Sequence, residues 1–128
     1  MGFSAITFSS MALVDITPPG APILNLARTA NREIEARVTL PTIDSDGTPI
    51  SGLTELIIAL LPETTPTENP FDGITAENLG TYAESNSGQS ANIFLVETDA
   101  GTLKATRFSG LTIGGIYWVA CVVKDDSE

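Results

Sequence analysis

Histidine is absent from this chain, cysteine occurs once, at Cys121, and six basic residues stand against sixteen acidic ones. Without histidine the commonest general base and the commonest zinc ligand are both missing. A single cysteine excludes an intrachain disulfide, and a thiol lying between Val119 and Val123 on an apolar strand reads as a small hydrophobe rather than a nucleophile. The formal charge of -10 repels a phosphate backbone, which argues against nucleic acid as a partner. Charged residues make up 17% of the chain, below the roughly 25% of an average soluble protein, so long solvated helices are not expected. No run approaches the ~18 apolar residues of a membrane-spanning helix. The opening MGFSAITFSSMALVD has no basic stretch, and Ser and Thr interrupt its apolar part. It does not read as a secretory signal, and synthesis in the cytoplasm is the expectation. Serine-centred hydrolase elbows, phosphate-cradling glycine loops and zinc spacings are missing too. The sequence therefore assigns no catalytic residue, no metal and no cofactor.

What is present is strand periodicity. In EIEARVTL, Ile34, Ala36, Val38 and Leu40 fall on one side and Glu33, Glu35, Arg37 and Thr39 on the other, the pattern of a half-buried strand. LTELIIALLP has two apolar faces, Leu56, Ile58 and Leu60 against Ile57, Ala59 and Leu61, which places it centrally in a sheet. The polar stretch 63–90, broken by Pro66, Pro70, Gly73, Gly80 and Gly88, is too long for a plain connection. One helical turn is expected near Thr75 to Leu79. ANIFLVETDAGTLKATRF reads as a hairpin turning around Asp99, Ala100 and Gly101. A last strand runs from Ile116 to Lys124, with Tyr117, Val119, Cys121 and Val123 on one face and Trp118, Ala120 and Val122 on the other.

The segment LTIGGIYWVACVVKDD resembles the end of a fibronectin type III domain. Leu111 stands six residues before Tyr117 and Gly114 three before it, and the alternating apolar positions Val119, Cys121 and Val123 run into an acidic turn at Asp125. PGAPILNL is similar to that family's proline-marked first strand, and ARVTLPTIDSDGTPISGLTELII to its second strand, loop and third strand. Val38 departs from the pattern, standing where many members carry a core tryptophan. The resemblance covers about Pro18 to Asp126. It implies an all-β, immunoglobulin-like antiparallel β-sandwich over residues 18–128, and a structural corner in which the Tyr117 hydroxyl bonds back to the preceding turn from Leu111.

The family's final strand, which pairs beside Tyr117 to Lys124, has no counterpart in the two residues after Asp126. An uncovered apolar edge invites aggregation. Residues 1–17 are expected to act as an arm that supplies the cover, folding back or crossing to a neighbouring copy, with Ala5, Thr7, Ser9, Met11 and Leu13 as its contact series.

Three further groups complete the candidates. Asp44, Asp46 and Gly47 form a D-x-D-G that is read as a turn, because the remaining ligand positions of a calcium loop are not filled. Trp118 and Val122, on the outer face of the last strand beside Ile57, stand either as a contact surface or under the 63–90 loop. Phe71 and Tyr82 are that loop's aromatic residues. Together with the cytoplasmic expectation, the fold that the resemblance implies points to a virion structural protein, a capsid decoration, cement or minor accessory subunit of a bacteriophage. Its expected partners are a major capsid or other virion protein and neighbouring copies in a homo-oligomer, with neither nucleic acid nor membrane involved. The alternative is a carbohydrate-binding or adhesin-like module contacting its ligand through Phe71 and Tyr82.

Overall fold

The computed structural model describes residues 2–4, 19–50 and 52–126. The arm series Ala5, Thr7, Ser9, Met11 and Leu13 lies outside the described residues. The described residues form two three-stranded antiparallel sheets. One has the order β1 (Ile23–Ala30), β2 (Glu33–Thr39), β5 (Leu103–Phe108); the other has the order β4 (Gln89–Phe94), β3 (Leu53–Pro62), β6 (Tyr117–Asp125).

Alternation in the sequence sets the faces. In β2, Ala36 and Val38 are buried with Leu40 just beyond, while Arg37 is exposed. In β3 and β6 both faces are apolar and each builds a different core. Leu56, Ile58 and Leu60 join Val119, Cys121 and Val123 against Ala36, Val38 and Phe108 of the other sheet. Ile57, Ala59, Leu61, Ala120 and Val122 turn the opposite way. They pack under Phe71, Ala76, Leu79 and Ala83, residues of the 63–88 segment. That segment contains a 3-10 turn, Ala76–Asn78, running directly into α1 (Leu79–Ser85). The expected single turn of helix is thus the start of a longer one, because Leu79 and Ala83, one helical turn apart, share the face laid on the sheet.

The expected hairpin between Ala91 and Phe108 does not form. β4 pairs with β3 and β5 with β2, so the segment from Leu95 to Thr102 crosses from one sheet to the other. Leu95 and Phe108 both enter the shared core but from opposite sheets, which a hairpin would forbid. The crossing turns through a 3-10 segment, Glu97–Asp99, where the Asp99 carboxylate accepts the Val96 N–H at 2.8 Å and pairs with Lys104 at 3.0 Å. Those two contacts hold the Asp99 carboxyl below its usual range, the backbone donor first.

Candidate functional site

Residues 2–4 lie antiparallel against the end of β6. Ser4 N–H donates to the Val123 carbonyl at 2.9 Å, Asp125 N–H to the Gly2 carbonyl at 3.1 Å, and Phe3 sits opposite Lys124. The Ser4 hydroxyl accepts the Val123 N–H at 3.0 Å, and Ser4 is fully buried. The Lys124 ammonium stands 5.3 Å from the centre of the Phe3 ring. Phe3 also packs on the second core. The N-terminal residues described therefore add backbone pairing to β6 on the side away from β3.

The outer face of β6 is not a contact surface. Val122 is 0% exposed and Trp118 half-buried, because the 63–88 segment folds over them. Trp118 Nε1–H donates to Glu63 Oε2 at 2.7 Å, so the ring's polar edge is satisfied by the first residue after the β3 strand. Phe71 is likewise not a loop contact. It is 1% exposed and forms part of the same core, its N–H held by the Asn69 side chain at 2.9 Å. An aromatic side chain of that size buries 150–250 Å2, and the apolar underside of the segment is what makes a long polar connection fold. Tyr82 is half-buried against this core beside a shallow depression lined by Gly73, Thr75, Asn78 and Thr81. Gly88 closes the segment. A Cβ there would strike the Leu60 carbonyl oxygen, so only glycine lets the chain pass so close to β3.

At the start of β6, the Tyr117 hydroxyl accepts the Thr112 N–H at 2.8 Å, and Leu111 is buried in the shared core. Gly114, between them, has φ +86, a conformation that side chains disfavour. Leu111, Gly114 and Tyr117 thus form one closed corner. A cavity of about 270 Å3 lies between this corner and the β1–β2 turn, with Arg28 and Arg32 on its rim.

Asp44, Asp46 and Gly47 form a tight turn. Asp46 accepts both the N–H and the hydroxyl of Thr48, and Gly47 N–H donates to the Asp44 carbonyl at 2.9 Å. Asp44 Oδ1 is buried without a hydrogen-bond partner. Burial, then the neighbouring Asp125 and Asp46, pushes its carboxyl above the usual range. No group of three or more ligand residues suited to a metal ion occurs among the described residues.

On the exposed face of the first sheet, Glu35 is bonded by Arg107 and Arg37, which hold its carboxyl below the ordinary range, with Arg107 the larger influence. Large apolar residues also reach solvent: Ile23 and Leu103 on that same face of the first sheet, Leu26 on β1, Ile43 in the turn after β2, Phe94 on β4, Val96 beyond it, and Ile113 and Ile116 before β6. Phe94 and Val96 were readable in the sequence. Ala91, Ile93 and Leu95 alternate with Asn92, Phe94 and Val96, and Asn92 marks the second set as the outward one. What the described residues offer is strand pairing and apolar contact. Compared with known proteins, the chain matches no family model, no curated protein and no solved structure.

Proposed function

We propose that this chain is a virion structural protein, a capsid decoration, cement or minor accessory subunit, built as an immunoglobulin-like sandwich of the fibronectin type III sort. The fold reading is supported by the two sheet orders, β1-β2-β5 and β4-β3-β6, between which the chain crosses after β2, β4 and β5, and by the core they share. The observation that carries the functional reading is the pairing of residues 2–4 with the end of β6. A sheet edge that accepts a strand from the N-terminal segment is suited to β-augmentation, in which backbone bonds supply affinity and apolar side chains supply fit. Repeated by symmetry, such contacts fasten many copies to a shell. The glycan-binding alternative needs two exposed aromatic residues on the 63–88 segment, and with Phe71 in the core only Tyr82 remains near the surface.

Mass spectrometry of purified particles tests the class: this chain in stoichiometric amount supports a virion subunit, and its absence from particles of the virus that encodes it overturns the proposal. Deleting residues 1–15 tests the mode. The truncated chain is expected to lose attachment or to aggregate through β6; full attachment by a soluble truncated chain would sink the strand-pairing mechanism.

A further inference from the structure

Among the described residues four strands lie at sheet edges, and three of them carry features that discourage pairing with another chain. β1 has a bulge between Arg28 and Ala30 as well as the charge of Arg28 itself. β5 carries Lys104 and Arg107. β6 has residues 2–4 laid against its end. β4, with the sequence QSANIF, has no charge, no proline and an unbroken register with β3. Charges, bulges and cover are the means by which edge strands avoid joining one another, and β4 has none of them within its own residues.

The geometry of this edge is specific. Leu95 N–H donates to the Thr54 carbonyl at 2.9 Å, and the same register runs back through Ile93, Ala91 and Gln89. With the strand period of two, the backbone groups of Ser90, Asn92 and Phe94 point away from β3. None of them bonds another described backbone group on that side. Phe94 is 85% exposed, the highest of the large apolar residues described.

We propose that β4 pairs with β4 of a second copy, antiparallel about a twofold axis at Asn92. The edge is self-complementary in that arrangement: Asn92 meets Asn92, and Ser90 of each copy meets Phe94 of the other, so every outward N–H finds a carbonyl. Phe94 shares its face with Ile57 and Ala59, the face that carries α1, since its partner Glu55 alternates with them. Beside Ser90 of the second copy, Phe94 comes against the Gly80 end of that copy's α1, because Gly80 lies directly over the Ser90 side chain. The formal charge of -10 on each chain opposes association over most of the surface and leaves this uncharged strand as the permitted contact. The pairing goes beyond attachment to a virion and stands without it.

Sedimentation equilibrium of the full chain over a dilution series tests it. The expected result is a monomer–dimer equilibrium that tightens with added salt as repulsion is screened. Phe94→Lys and, separately, Asn92→Pro, which deletes an outward N–H, are each expected to raise the dissociation constant at least ~10-fold. Leu103→Lys, on the edge of the other sheet, is expected to leave it unchanged. Phe94 is exposed, so its variant decides the matter even where Asn92→Pro impairs folding. A wild-type chain that is monomeric throughout the series, or a dimer untouched by Phe94→Lys, overturns the proposal.

Discussion

Ser4 and Val123 are joined twice: the Ser4 N–H reaches the Val123 carbonyl at 2.9 Å, and the Val123 N–H reaches the Ser4 hydroxyl at 3.0 Å. The hydroxyl takes the place that a carbonyl would hold in a regular ladder, so this one side chain completes the pairing of residues 2–4 with β6. Ser4→Ala leaves the Val123 N–H without that acceptor in a buried position, and a lost partner of this kind costs about 1–3 kcal/mol. Urea unfolding of the variant should show a lower midpoint with an unchanged slope. An unaltered midpoint would mean that the contact at Ser4 contributes nothing to stability.

Phe71 fixes the 63–88 segment to the outer face of β3 and β6. Phe71→Ala is expected to cost about 3–5 kcal/mol through lost burial and the cavity left behind. Trp118 is the only tryptophan and is half covered by the same segment. Its fluorescence should therefore shift to the red in the variant under conditions where the far-ultraviolet dichroism still reports a folded chain.

Asp44 gives a pH dependence whose sign follows from its surroundings. Its folded pKa is raised by burial and by Asp125 and Asp46, so the folded state holds the proton more tightly than the unfolded state does. The charged carboxylate therefore destabilises the fold above its folded pKa, and the penalty fades as the pH falls through that pKa towards the unfolded value. Asp44→Asn, which keeps the side chain's size and removes its charge, should raise the thermal midpoint at neutral pH and lose its advantage at acidic pH. Equal gains at both pH values would assign the effect to something other than titration.

The strands were legible wherever one side chain in two was apolar, as in Ile34 to Leu40, and where two apolar faces marked a central strand, as in Leu53 to Pro62. The pairing of β4 and β5 was not. Asp99, Ala100 and Gly101 signal a turn equally well for a hairpin and for a crossing between sheets, and only the need to bury Leu95 and Phe108 from opposite sides decides between them. The cover over Trp118 and Val122 was hidden for a related reason. Phe71, Ala76, Leu79 and Ala83 are spread through a polar segment, and their common face exists only once the chain has turned at Pro70 and Gly73. Among the candidate residues, Tyr117 was the most readable, because a partly buried phenol needs a donor or acceptor close at hand and the turn before it provides one.

β3 and β6 each belong to two cores at once, and this changes what fixes their alignment. In a strand with one wet face, sliding by a single residue is forbidden because oily groups would meet water. Here a slide would exchange one dry layer for another. What resists it is bulk: Ala59 faces Ala120 directly beneath the helix that carries Leu79 and Ala83, whereas Ile58 faces Cys121 and Leu60 faces Val119 on the opposite side. Moving either strand one step would drive branched side chains into the space kept narrow for the helix and leave methyl groups to fill the wider layer, so the fit between small and large residues sets the alignment.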